Sequence, residues 1–99
     1  MATLQYTVFN TAGATANGPV LTEGVITIGG TSAAGAIMDA AGGNKARRVR
    51  IAVDTDCWVT WDADPTAIND GTEGRMMFAG SWEYVEILAN EKIACIERV

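Results

Sequence analysis

Residues 4 to 9, Leu-Gln-Tyr-Thr-Val-Phe, set Leu4, Tyr6 and Val8 on one side and Gln5 and Thr7 on the other. That two-residue period predicts a strand with one buried face. Residues 10 to 19 contain no large side chain, so they bury little and predict a flexible loop or extended arm. Val20 to Ile28 is a β-branched run interrupted by Gly24, which predicts a strand with a bulge or a short hairpin, ended by Gly29-Gly30. Residues 31 to 46 are small and apolar, but Gly35 and the pair Gly42-Gly43 argue against a sustained helix, and the segment is expected to be irregular.

The pattern sharpens after residue 46. Val49, Ile51 and Val53 alternate with Arg48, Arg50 and Ala52, then Cys57, Val59 and Trp61 alternate with Trp58 and Thr60. With Asp54-Thr55-Asp56 as a turn between them, residues 47 to 61 predict a β-hairpin. Residues 62 to 74 carry Pro65, Asn69, Asp70, Gly71 and Gly74, the composition of a long acidic surface loop. Short strands are expected at 75 to 79 and 82 to 88. Lys92 to Val99 is apolar on both faces, as in a central strand. The sum is an all-β chain: one domain over residues 1–99, a small β-sandwich or jelly-roll-like barrel of about seven strands.

Composition agrees with that class. Of 99 residues, 27 are Val, Ile or Thr, 11 are Gly and only 3 are Leu, which favours strands and tight turns over helices. No composition shift divides the chain into domains, although the first 46 residues hold only 3 of its 19 charges.

Charge and residue types then narrow the chemistry. Seven basic against 12 acidic residues, net −5, disfavours nucleic acid as a partner, because phosphate neutralisation needs a basic surface. No run approaches the roughly 20 apolar residues of a membrane span, so no membrane partner is expected. Met1 to Asn10 lacks the features of a signal peptide, and synthesis in the cytoplasm without export is the expectation. Histidine is absent and serine occurs only at Ser32 and Ser81, which removes Ser/His and Cys/His nucleophile pairs and histidine metal sites. No nucleophile, base and orienting partner can be assembled, and the chain is expected to be neither an enzyme nor a cofactor carrier.

Four features remain as candidates. Asp62, Asp64, Asn69, Asp70 and Glu73 offer oxygen ligands, and Glu73 falls at the twelfth position of a calcium loop begun at Asp62, but Ala67 stands where an EF-hand needs Gly. A solvated acidic turn is the expectation, and no metal site is assigned. Cys57 and Cys95 fit no zinc spacing, and no His or nearby Lys in sequence would activate Cys57, so both are expected to be buried, reduced thiols. Arg47, Arg48 and Arg50 form a basic edge suited to an acidic protein surface. Trp58 and Trp82 fall opposite the expected core faces of their strands, where exposed indoles serve as anchors for proteins or sugars.

Residues 26 to 99 also carry a recognisable order of motifs: Ile-Thr-Ile-Gly-Gly-Thr-Ser, then Arg48-Val-Arg-Ile-Ala-Val-Asp-Thr-Asp-Cys-Trp-Val-Thr-Trp, Asp64-Pro-Thr-Ala, Ala79-Gly, Glu83-Tyr-Val-Glu-Ile and Lys92-Ile-Ala-Cys-Ile. This order resembles a group of small tailed-bacteriophage virion proteins with the pattern RVR…DCxVxxG…NPTA…LPAGxxEYF…GxKVAVI. It departs from that pattern at Asp62 and Asp64, where Gly and Asn are usual, and at Phe78-Ala79, where Leu-Pro is usual. The resemblance implies a virion structural protein: first a capsid decoration or cement protein that oligomerises on the head lattice against the major capsid protein, second a neck or tail ring adaptor. A reading independent of it is a carbohydrate-binding module, with Trp58 and Trp82 as a platform on one face.

Overall fold

The computed structural model describes residues 2–9, 20–40, 42–68 and 74–98. Its elements are β1 (Thr3–Phe9), β2 (Val20–Thr27), β3 (Ala33–Ala34), β4 (Ala46–Val53), β5 (Cys57–Asp62), β6 (Arg75–Met77), β7 (Trp82–Leu88) and β8 (Lys92–Glu97). All neighbouring strands are antiparallel, and they form two four-stranded sheets, ordered β2-β1-β4-β7 and β3-β8-β5-β6. The all-β, sandwich-like expectation holds, with eight strands among the described residues where about seven were expected. Among the described residues no helix is long and apolar enough to cross a membrane. The arm at 10–19 lies outside the described residues, as do 69–73 of the acidic loop.

Alternation decides which side chains meet between the sheets. Leu4, Tyr6 and Val8 of β1, Val49, Ile51 and Val53 of β4 and Ile87 of β7 point inward from the first sheet; Cys57 and Val59 of β5, Ile93 and Cys95 of β8 and Met77 of β6 meet them from the second. Ten of these and their neighbours, including Leu4, Ile51 and Ile93, are almost wholly withdrawn from water. Each such aliphatic side chain contributes roughly 1.5–3 kcal/mol by burial, which is what holds two open sheets together.

Two expectations are corrected. The segment 47 to 61 is not a hairpin: β4 pairs with β1 and β7, whereas β5 pairs with β6 and β8, so residues 54 to 56 carry the chain from one sheet to the other. The corner is held from outside itself. Asp54 accepts hydrogen bonds from the Thr3 amide (2.7 Å) and hydroxyl (3.1 Å), and Asp56 Oδ1 accepts one from the Ala79 amide (2.9 Å). Nor is Gly24 a bulge: β2 pairs regularly with β1 through that position, and the register shift lies between Val8 and Phe9.

The segment expected to be irregular contributes two structural pieces. Ala33 and Ala34 pair with Cys95 and Ala94, which makes β8 an interior strand, as its two apolar faces predict. Beyond them the amides of Gly35, Met38 and Asp39 donate to the carbonyls of Ile93, Glu91 and Ala89, and this seats Met38 in the core at 1% exposure.

Candidate functional site

The outer face of the first sheet gathers three of the candidate side chains, Arg48, Arg50 and Trp82. Register sets Phe9 across from Arg48 and Arg48 across from Glu86; one step along, Thr7, Arg50 and Tyr84 share a row, and beyond it Gln5, Ala52 and Trp82. Each arginine leans off its own row toward the previous outward residue of β7. The Arg48 guanidinium carbon lies 4.3 Å from the centre of the Tyr84 ring, and that of Arg50 lies 5.2 Å from the Trp82 ring. Diagonal neighbours on one face of an antiparallel pair lie within reach of long and aromatic side chains, so this pattern follows from the strand spacing alone.

The rings also touch one another. Trp82 meets Tyr84 edge-on at 5.6 Å and 88°, and Phe9 approaches Tyr84 at 6.2 Å. Phe9 is therefore buried although it points outward, while Tyr84 is 37% and Trp82 is 55% exposed. The result is a graded face, sealed at Phe9 and open at Trp82. A cation held over an aromatic face is attracted by the ring quadrupole, worth roughly 0.5–1 kcal/mol where water has access and more once water is excluded.

The three arginines of the expected basic edge do not act together. Arg47 has the parity of Val49 and Ile51 and points away from the outer face; its Nε and Nη2 donate to Asp39 Oδ2 at 3.2 and 3.0 Å, a nearly buried pair. Arg47 is thus set apart from Arg48 and Arg50. Arg47 instead holds the segment carrying Met38 against the end of β4. Arg48 and Arg50 keep their outward positions.

The two tryptophans part in the same way. Trp58 lies between the inward residues Cys57 and Val59 and so projects from the outer face of the second sheet, where it stands across from Ile96 and Met76 and is half-buried. Trp82 is on the first sheet. A shared platform of both indoles is not formed.

The remaining candidates have structural surroundings. Asp62 and Asp64 are exposed, and Asp62 Oδ1 accepts the amide of Ala63 at 2.7 Å, the usual arrangement of a turn aspartate. Asn69, Asp70 and Glu73 lie outside the described residues, and among the described residues no group of three or more His, Cys, Asp or Glu is placed to hold a metal ion. Cys57 and Cys95 are free thiols with no exposed surface. Burial pushes Cys57 up to about 12, with Cys95, Asp56 and Asp54 nearby adding to the effect, and burial alone pushes Cys95 up to about 11. Thiols so far from ionisation are poor nucleophiles.

Sequence reasoning missed Phe9, Tyr84 and Val25 as parts of the outer face. The signal was present for Tyr84, which alternates with Trp82 and Glu86 on the polar side of β7. For Phe9 it was absent, because its neighbours come from β4 and β7. Comparison of the chain with protein-family models, curated proteins and solved structures gives no match.

Proposed function

We propose that this chain is a non-enzymatic structural protein of a tailed-bacteriophage virion, a capsid decoration or cement protein that binds the major capsid protein through the outer face of its first sheet. The observation that carries the reading is the Arg50 guanidinium stacked over an indole, Trp82, that is itself more than half exposed. Trp, Tyr and Arg are the residues that dominate the energetics of protein interfaces, and here they stand ordered before any partner arrives. Little side-chain entropy is then lost on docking. The depression on this face, lined by Arg48, Tyr84, Val85 and Glu86, holds about 110 Å³, less than the roughly 300–1,000 Å³ of a pocket that encloses a small molecule, so the face suits a protein surface better.

The virion context rests on the motif order of residues 26 to 99. A shell repeats one contact many times, so a small domain with one modest binding face stabilises it through avidity. The test is the copy number of this chain relative to the major capsid subunit in purified particles, by quantitative mass spectrometry. A ratio near one, or a simple fraction such as one third, supports lattice-wide decoration. A ratio of a few per cent moves the protein to the neck or tail, and its absence from particles overturns the virion reading.

A further inference from the structure

A sandwich of two open sheets has four edge strands, and an edge is a template for another strand unless something blunts it. Three of the four are blunted here. β3 and β6, the edges of the second sheet, are two and three residues long. β7 carries Glu83 and Glu86, and Arg75 of β6 reaches Glu83 at 3.4 Å. β2 is the exception. It is eight residues long, contains no Lys, Arg or Pro, and has a single charge, Glu23. Its pairing with β1 is regular from Thr22 to Thr27, so no bulge twists it away along that length. Val20, Leu21 and Val25 are 53%, 42% and 64% exposed, and among the described residues no strand pairs with its outer edge.

We infer that β2 pairs antiparallel with β2 of a second copy of this chain, about a two-fold axis through Gly24, so that two four-stranded sheets become one of eight. Charge selects this occupant. Docking β2 on the β7 edge of another copy in one continuous sheet would put Glu23 on the same face as Glu86, whereas β2 against β2 adds one charge per copy and a register that keeps the two apart. With Gly24 on the axis, Glu23 of each copy stands across from Val25 of the other, Thr22 across from Ile26 and Leu21 across from Thr27. Centring the pair one residue earlier would place the two Glu23 side chains together, and like charges directly opposite are destabilising. Gly24 itself has no side chain to meet its counterpart.

This contact is isologous and closes on itself, so it yields a dimer and not a fibre. It also places both copies of the Arg50 and Trp82 face on one side of the joined sheet. Five inter-strand spacings separate the two β4 strands, roughly 24 Å at about 4.8 Å each. A pair of faces at that spacing suits a target that is itself repeated. The inference stands apart from the virion reading, because it concerns the free protein.

The test is sedimentation equilibrium of the full chain from micromolar to hundreds of micromolar, with hydrogen exchange of the β2 amides over the same range. A reversible dimer whose β2 amides exchange more slowly at high concentration is the expected result. Val25→Glu, which sets a carboxylate across from Glu23 of the other copy twice per dimer, should weaken the dimer about tenfold. Val25→Lys, with opposite charges in the same places, should keep or tighten it. Val25 is well exposed, so both variants fold, and circular dichroism verifies this. A monomer at every concentration, β2 exchange independent of concentration, or equal weakening by both variants would overturn the inference.

Discussion

The ring of Tyr6 fills the space in which Gly24 would carry a side chain: an ideal Cβ at Gly24 would stand 2.3 Å from both Cζ and Oη of Tyr6, its direct partner across β1 and β2. Gly35 closes the other side, where a Cβ would lie 3.1 Å from the same hydroxyl. Gly24 is thus a packing residue, and the ring it admits is 5% exposed.

Gly24→Ala is therefore expected to destabilise the fold. Overpacking a filled site costs about 1–3 kcal/mol, against a gain of roughly 0.4–1 kcal/mol from the stiffer unfolded chain, so the steric cost wins. Because one ring causes the clash, Gly24→Ala made on a Tyr6→Leu background should cost much less. Denaturant midpoints of the four proteins in this cycle measure the coupling, and additive effects would show that the ring is not what excludes the methyl group.

Arg47 and Arg50 are three residues apart and opposite in role. Removing one partner of this partly buried ion pair breaks two charge-assisted hydrogen bonds, so Arg47→Ala should cost about 2 kcal/mol. Arg50→Ala, on the outer face, loses the contact with the Trp82 ring and should cost only about 0.5–1 kcal/mol. Asp39→Asn should resemble Arg47→Ala. Thermal unfolding of the three variants checks this, and equal losses for the two arginines would contradict the division.

That division was half legible in the sequence. Alternation over 47 to 53 separates Arg48 and Arg50 from Val49 and Ile51, and it also gives Arg47 the parity of the core; what it lacks is Asp39, which reaches Arg47 from a segment with no periodicity. Strand 82 to 88 and the interior character of β8 were likewise readable from local pattern. The corner at Asp54 to Asp56 was not, because a hairpin turn and a crossing between sheets share the same turn residues. They differ in where the hydrogen bonds go, and here those run to Thr3 and Ala79, far away in sequence. Met38 was hidden for the same reason: its place in the core is set by the carbonyls of β8 and the turn before it, and not by its own neighbours.

The thiols predict a response to alkali. Both have folded pKa values raised above the ordinary 9.0, to about 12 for Cys57 and about 11 for Cys95. Above pH 9 the unfolded chain loses these protons while the folded chain keeps them. Unfolding then releases protons and is favoured as pH rises. Their contribution is complete below pH 9 and disappears as pH climbs through 11 and 12. The melting temperature of the parent protein should therefore fall more steeply above pH 9 than that of Cys95→Ala, whatever the offset between them at neutral pH. At neutral pH a thiol-specific disulfide reagent should modify both cysteines only at the rate of unfolding, and immediate modification would refute their burial.

Trp82 and Trp58 project from different sheets, and this separates binding from scaffold effects. If the outer face of the first sheet docks on the capsid, Trp82→Ala removes an anchor of the kind whose truncation costs at least about 2 kcal/mol, a loss of roughly 30-fold in affinity. Loss of its edge-on contact with Tyr84 and of the Arg50 stack should lower folding stability by about 1–2 kcal/mol. Trp58→Phe should leave affinity unchanged, since Trp58 stands among Ile96 and Met76 on the far side of the sandwich. Arg50→Lys refines the point: the charge stays, but the planar group that stacks on the indole is lost, so affinity should fall by an amount between those of the parent and Trp82→Ala. Co-sedimentation of each variant with particles lacking this chain gives the affinities. Equal losses for Trp82→Ala and Trp58→Phe would place the contact elsewhere, and no loss for Trp82→Ala would remove this face from the interface.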